Sequence, residues 1–292
     1  MKDDGATFEQ HRSVLLGLAY RLLGSMHDAE DTLQDAWLRW AAEDRSSVRE
    51  SRAFLIRIVS RLALDRLTSA RARREAYVGP WLPEPVESSR LGPLESAELR
   101  DTVSYATLHL LERLTPPERA VFVLREAFDL PFEEIADVVG LSAVHCRQLL
   151  LRARRRIAAG PDRSTATREE HARLLTGFLD AAAGGNLSGL LELLADDVVA
   201  WNDGGGRVRA ALRPITGRAR VAAFAVGLAR QFDLRDARII DINGYPALLT
   251  HMAGGSQVLM IAADAGRIRA LYAVLNPEKL RLVDAPSRRD SA

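Results

Sequence analysis

Cysteine is nearly absent from this chain. Cys146 is the one thiol in 292 residues, which excludes an intramolecular disulfide and any cysteine-cluster metal site. Lysine is almost as scarce: of 40 basic residues only Lys2 and Lys279 are lysine, the rest being arginine. Long apolar runs are missing too. The longest, such as Val198–Trp201 and Leu271–Leu275, fall far short of the ~20 residues that a membrane-spanning helix needs. The N-terminal Met1-Lys2-Asp3-Asp4-Gly5 has no apolar stretch resembling a signal peptide. These absences lead to the expectation of a cytoplasmic protein with no membrane contact. Strong net charge is also lacking. The balance of +1 says nothing about nucleic acid, so any such reading must rest on local clusters.

What is present is ample material for burial. Apolar residues make up 47% of the chain and charged residues 27%, an ordinary globular balance, and the length suggests about two domains. The arginines gather at Arg71–Arg74 and Arg147–Arg156. A G+C-rich genome accounts for arginine in place of lysine, but not for that clustering.

Residues 8–75 read as helical. Val14, Leu15, Leu18, Ala19 and Leu22, then Leu33, Trp37 and Leu38, then Phe54, Leu55, Ile58, Leu62 and Leu67 recur at helical spacing without a proline. Ser25 is a candidate N-cap with Asp28, Glu30 and Asp31 in the first turns that follow, and Ser51 a candidate cap for a helix running to about Arg74. Residues 76–95 hold Gly79, Pro80, Pro83, Pro85, Gly92 and Pro93 and read as a linker. It is not a plain tether, because Trp81-Leu82-Pro83-Glu84-Pro85 has large apolar groups that predict docking. Residues 96–160 are helical again, with Thr115-Pro116-Pro117-Glu118 as a helix start and Leu130-Pro131 as a break. A short linker at 161–168 precedes a different pattern over 169–284. Helices Glu170–Ala183 and Leu187–Leu194 lead into strand-like runs at Val198–Trp201, Val208–Arg213, Ala237–Ile242, Ala247–Met252, Gln257–Ala263 and Ile268–Val274, with a helix at Gly217–Phe232. That order predicts an α+β domain with a mostly antiparallel sheet, followed by a tail at 285–292.

The sharpest local signal is Phe132–Arg156. A helix Phe132–Val139 ends at Gly140, where a left-handed residue suits the turn, and Ser142 can cap a second helix, Ala143–Ile157. Val144, Leu149, Leu150 and Ala153 give that helix an apolar side; His145, Arg147, Gln148, Arg152, Arg154, Arg155 and Arg156 occupy the others. This fits a helix-turn-helix whose second helix enters the major groove, where arginine reads guanine and glutamine reads adenine. A helical hairpin with a solvated basic face has the same pattern. The block Asp28–Trp40 mixes an acidic with an apolar face, either solvated or a docking surface. The helix from Ser51 carries Arg57, Arg61, Asp65, Arg66, Arg71, Arg73 and Arg74 and could meet nucleic acid. No His/Cys/Asp/Glu set has metal-ligand spacing.

In this order the blocks resemble the extracytoplasmic-function sigma factors, bacterial transcription initiation factors. Asp28-Ala29-Glu30-Asp31-Thr32-Leu33-Gln34-Asp35 looks like region 2.2. The resemblance implies that Asp28, Glu30, Asp31, Gln34, Asp35 and Leu38 dock on core RNA polymerase (beta and beta-prime subunits). Ala53–Leu67 looks like regions 2.3 and 2.4, which melt and read the minus-ten element; many members carry Asn where this chain has Arg61. Leu114-Thr115-Pro116-Pro117-Glu118-Arg119 and the helix-turn-helix look like region 4, which reads the minus-thirty-five element. The implied DNA-binding residues are Arg57, Arg61, Asp65, Arg66, Arg71, Arg73, Arg74, Ser142, His145, Arg147, Gln148, Arg152, Arg154 and Arg155.

Three further motifs narrow the resemblance to the SigJ-like branch: Trp81-Leu82-Pro83-Glu84-Pro85, Asn202-Asp203-Gly204-Gly205-Gly206 and Asn276-Pro277-Glu278-Lys279-Leu280. Members carry a C-terminal SnoaL-like domain of the NTF2-like fold, thought to regulate the sigma core in cis. The expected architecture is multi-domain. Two all-α sigma domains, a region 2 bundle at 1–75 and a region 4 helix-turn-helix at 96–160, precede an α+β NTF2-like cone at 169–284. Residues 81–85, 203–206 and 276–280 are the expected interdomain contacts. No catalytic residue, metal or cofactor is expected. The cone leaves room for a small ligand of unidentified chemistry, and Trp201, Asp203, Tyr245, His251 and Tyr272 are its candidate polar groups. Two other readings share parts of this pattern: a helix-turn-helix regulator that never engages polymerase as sigma, and a SnoaL-like enzyme with an accessory DNA-binding region.

Overall fold

A computed structural model describes residues 3–43, 48–91, 104–160, 164, 166–230, 237–252 and 255–283. The chain forms two compact units. The first comprises the described residues within Met1–Ala76, Ser89–Val103 and Leu108–Gly160; the second those within Tyr77–Ser88, Ser104–Thr107 and Pro161–Ala292.

In the first unit, helices α1 (Asp3–Leu23), α2 (Met26–Ala42) and α3 (Ser51–Glu75) share an apolar core. Leu15, Leu18, Leu22, Leu33, Leu55 and Val59 are almost fully buried in it. The Ser25 side chain accepts the Asp28 N–H at 3.2 Å, the capping arrangement its position predicts. Ser51 is not a cap: Glu50 occupies that position and Ser51 is the first helical residue, with no side-chain cap bond at this end. Leu108–Leu111, the part of helix α4 (Tyr105–Leu111) that belongs to this unit, leads to α5 (Pro116–Glu126), α6 (Phe132–Val139) and α7 (Ala143–Ala158). At the start of α5 the Glu118 carboxylate accepts from the Thr115 N–H at 3.0 Å and from its hydroxyl at 2.9 Å. Pro131 stands at the N-cap of α6, and Gly140 ends that helix at φ 70°. Ser142 accepts the His145 N–H at 3.2 Å, so α7 starts where the turn releases it. Cys146, Leu149, Leu150 and Ala153 form its buried side.

The second unit contains α8 (Arg168–Ala183), α9 (Leu187–Leu193), α10 (Arg218–Ala229), the short α11 (Pro277–Leu280) and a sheet. The strands are β1 (Leu194–Asp203), β2 (Ile215–Thr216), β3 (Arg238–Ile242), β4 (Tyr245–Met252), β5 (Gly255–Asp264) and β6 (Arg267–Val274), in the order β2-β1-β6-β5-β4-β3. The β1–β6 pair is parallel and the other ladders are antiparallel. The strand expected at Val208–Arg213 does not form. Ile215 and Thr216 take the place beside β1, and Val208 and Ala210 pack against the apolar core from an irregular segment. Their apolar pattern is satisfied by packing without a ladder.

Strand residues alternate between two buried faces. Val198, Ala200, Leu248, Leu259, Ile261, Leu271 and Ala273 meet Leu174, Phe178, Leu190 and Val221 of the helices. Ala247, Leu249, Val258, Met260, Ala270, Tyr272 and Val274 meet Leu82, Tyr105, Leu280 and Val283. Residues 77–88, expected within a linker, therefore belong to the second unit as a strap over its sheet. Leu82, Pro83, Glu84, Pro85 and Val86 are all buried.

Candidate functional site

Three sequence motifs converge at one buried point of the second unit. Asp203, at the end of β1, is fully buried. Its Oδ1 accepts from the Tyr77 hydroxyl at 2.6 Å, and its Oδ2 from the Leu82 N–H at 3.0 Å and the Lys279 ammonium at 2.6 Å. Lys279 also donates to the Leu82 carbonyl at 2.5 Å and sits 3.3 Å from the centre of the Trp81 ring and 4.8 Å from that of Tyr77. One carboxylate and one ammonium thus grip both the N–H and the C=O of the same strap residue. The rings add cation–π attraction where water is excluded. Burial, then the bond to Asp203, raises the Tyr77 pKa and keeps its hydroxyl a donor.

The surrounding turns make this close approach possible. Gly205 has φ 59°, and a β-carbon there would lie 2.3 Å from Asn276 Nδ2 and 2.8 Å from the Tyr77 hydroxyl. Asn276 donates to Tyr77 at 2.8 Å and accepts the Glu278 N–H at 3.0 Å, capping α11 and so aiming Lys279 inward. At the far end of the strap, Val86 and Asn243 exchange two hydrogen bonds, of 3.2 and 2.9 Å. Ser88 donates to Asp241 at 2.6 Å and accepts the Gly244 N–H at 2.7 Å. Sequence reading missed Tyr77, Asn243 and Asp241. The one available signal was Asn243-Gly244 between two strand-like runs, the mark of a hairpin turn.

The first unit presents two of the expected surfaces. On α2, Ala29, Leu33, Ala36 and Trp40 are buried, while Glu30, Gln34 and Leu38 are exposed one turn apart and Asp28, Asp31 and Asp35 are half-buried beside them. Leu38 is 61% exposed. On α7, Ser142, Arg147, Gln148, Arg152, Arg154 and Arg155 are exposed and His145 is half-buried. Arg147 lies 3.2 Å from Glu133 and 5.0 Å from the centre of the Phe132 ring; Arg154 pairs with Glu126 at 2.6 Å. Such exposed pairs are worth less than ~1 kcal/mol, so they yield readily to a competing anion.

The basic helix α3 is divided. Asp65 is exposed and Arg57 half-buried. Arg61 donates to the Asp137 carbonyl at 2.7 Å, and Arg66 pairs with Asp35 at 2.5 Å, joining a candidate DNA-binding group to a candidate polymerase-binding one. The side chains of Arg71 and Arg73 lie outside the described residues. Arg74 is an interior residue: it pairs with Glu112 and donates to the Leu23 carbonyl. Arg119, itself 1% exposed, donates to Glu112 at 2.7 Å. Burial alone would raise the Glu112 carboxyl pKa, but the Arg119 and Arg74 guanidiniums outweigh it and hold the pKa below its usual value. Arg74 is therefore a structural ion-pair partner and is withdrawn from the nucleic-acid surface.

The candidate polar groups of the second unit are scattered. Tyr272 is buried against Tyr105, with ring centres 5.2 Å apart, on the strap side. Tyr245 packs on His171 at 5.1 Å. His251 is exposed, 3.0 Å from Ser256. Asp203 belongs to the clamp, and Trp201 lines a cavity beneath the helices. Among the described residues, no group of three or more His, Cys, Asp or Glu side chains could hold a metal ion, and no helix is long and apolar enough to cross a membrane.

Comparison with known proteins places these features. The family model for sigma-70 region 2 matches residues 7–73 and that for sigma-70 region 4 matches residues 105–157. The chain is 36% identical over 290 residues to the ECF RNA polymerase sigma factor SigJ of Mycobacterium tuberculosis, covering 93% of this chain and 91% of that protein. It is 32% identical over 280 residues to the probable ECF sigma factor SigI of the same species, covering 94% of each. The crystal structure of M. tuberculosis SigJ matches with a TM-score of 0.76 at 32% identity, over 94% of this chain and 98% of that one. Two helical segments matched as sigma regions 2 and 4, and full-length similarity that includes the α+β unit, show that the chain belongs to the extracytoplasmic-function RNA polymerase sigma factors.

Proposed function

We propose that the α+β unit controls the sigma core in cis by capturing the chain between regions 2 and 4. The observation that carries this reading is the Asp203–Lys279 clamp on Leu82. Contact with two separate promoter elements requires two DNA-binding domains that can move apart, and the free chain between them limits their reach. Residues 77–88, held in the strap, would span about 40 Å if released and extended. The clamp therefore acts as a length control, and its occupied and released states differ in how far region 4 can travel from region 2.

In this reading Asp28, Glu30, Asp31, Gln34, Asp35 and Leu38 dock on core polymerase through its beta-prime subunit. Arg57, Arg61, Asp65, Arg66, Arg71 and Arg73 meet the minus-ten DNA. Ser142, His145, Arg147, Gln148, Arg152, Arg154 and Arg155 meet the minus-thirty-five element, the first four nearest base edges at the N-terminal part of α7. Binding exchanges the Arg147–Glu133 contact for one to the minus-thirty-five element and the Arg61–Asp137 contact for one to the minus-ten DNA.

Run-off transcription with core polymerase tests both halves. Asp203→Asn and Lys279→Met in the full chain change promoter-dependent transcript yield several-fold; unchanged yield overturns control by the clamp. Arg147→Ala loses activity selectively at particular minus-thirty-five sequences, about five- to a hundredfold for a base-edge contact. An equal loss on every sequence reassigns it to phosphate.

A further inference from the structure

The cavity beneath α8 and α10 contains buried polar groups that the fold itself does not use. It measures about 70 Å³, on the order of five water-sized volumes. Phe178, Phe224, Val221 and Leu271 give it apolar walls, and no charged side chain is among its described lining residues. Asn202, Thr250 and Gln257 also line it and are 4%, 2% and 4% exposed. Among the described residues, Asn202 Nδ2, Thr250 Oγ1 and Gln257 Oε1 have no hydrogen-bond partner.

Sheet geometry explains why the three share one cavity. Thr250 and Gln257 are direct cross-strand partners on β4 and β5. By alternation they extend the faces that carry Leu248 and Leu259 inward. Asn202 follows Val198 and Ala200 on the same face of β1. An apolar residue would fill each position without loss: leaving a buried polar atom unpaired costs roughly 1–3 kcal/mol. Three such costs at one cavity are accounted for if something else supplies the missing bonds.

We infer that this cavity binds a small uncharged molecule with an apolar body and an adjacent acceptor–donor pair, of the carboxamide class. The hydroxyl of Thr250 donates to the ligand's carbonyl oxygen, and the ligand's N–H donates to Gln257 Oε1, the cross-strand neighbour of Thr250; Asn202 Nδ2, on β1 beyond β5 and β6, is out of reach of the same oxygen and is left for a second acceptor. The aromatic walls hold the apolar body, and the absence of a described charged lining residue selects against carboxylates and ammonium ions. The site does not rest on the clamp; it lies on the opposite face of the sheet, and its failure leaves that reading intact.

Benzamide is the probe, with benzoate and toluene as controls, measured by calorimetry and thermal shift on the full chain. Benzamide binds and raises the melting temperature; benzoate does not. Thr250→Val and Gln257→Met each weaken benzamide about five- to tenfold, as loss of one hydrogen bond requires, and leave toluene unchanged. Thr250→Val without ligand melts no lower than the parent protein, because it removes an unpaired group rather than a bond. The cavity-filling Ala225→Phe abolishes benzamide binding. The proposal is overturned if benzamide fails to bind up to its solubility limit, if benzoate binds equally well, or if Thr250→Val destabilises the ligand-free protein, which would mean that water or protein already satisfies the hydroxyl.

Discussion

Lys279 places an ammonium where the Asp203 carboxylate, the Leu82 carbonyl and two aromatic rings stand in for water. Breaking such a pair costs far more than forming it gains, because the surviving partner is left charged and buried. Lys279→Met is expected to destabilise the second unit by about 3–5 kcal/mol, read as a lowered urea midpoint. Asp203→Leu/Lys279→Met, with neither charge present, recovers part of that loss. Two glycines separate backbone strain from crowding. Gly140 has φ 70° and open space where a β-carbon would go, so Gly140→Ala costs only the left-handed penalty, about 1 kcal/mol. Gly205→Ala adds a collision with Asn276 and Tyr77 and costs at least twice as much; equal losses in equilibrium unfolding would contradict this. At this scale the clamp was partly legible. A tryptophan and a leucine among prolines must bury somewhere, and Asp203 beside three glycines marks a backbone that lets something come close. Tyr77 was not legible, because nothing in its neighbours distinguishes it from an exposed tyrosine.

Among the elements, the strap behaves as part of the sheet it covers. Its buried run Leu82–Val86 and its bonds to Asn243 and Asp203 tie it to the β3–β4 turn and the end of β1. Hydrogen exchange should therefore show residues 82–88 protected together with the β3–β4 hairpin. In Asp203→Asn that protection falls for both while α1, α2 and α3 are unchanged. If the strap exchanges at the rate of an open loop in the parent protein, its capture is refuted. The sequence showed these residues as proline-rich and therefore non-helical, and the large apolar groups as docking. It could not show on what, since proline reports local geometry and docking is a long-range contact. The helix-turn-helix was legible almost to the residue. Its signals, Pro131, Gly140 and Ser142, are local: each acts within four residues of itself. Val208–Arg213 failed for the converse reason: alternation marks a buried side but does not guarantee a free ladder edge.

Across the whole molecule, acid stability reports a group that none of the motifs contains. His171 is buried with its Nε2 3.1 Å from the Ile261 carbonyl, and burial lowers its pKa from 6.5 to about 4, with Arg168 adding to the effect. The folded protein thus binds fewer protons than the unfolded chain between these values, so stability is full above about pH 6.5 and falls as pH drops towards 4. The loss reaches about 3 kcal/mol. Glu112, with its pKa held below the usual 4.5, acts only at lower pH. Urea midpoints of the full chain at pH 7.5 and 4.5 read the difference, and His171→Leu removes most of it; an unchanged slope would locate the acid sensitivity elsewhere. The sequence by itself determined most element types, the two helical sigma regions and the change to an α+β domain, because helical spacing, caps and turns are encoded within a few residues. Only the tertiary structure decided that Arg74 is an internal ion-pair partner, that the linker is a strap, and that Asn202, Thr250 and Gln257 face one cavity. Each of those facts depends on pairing between residues far apart in the chain, and spacing along one strand or helix carries no record of its partner.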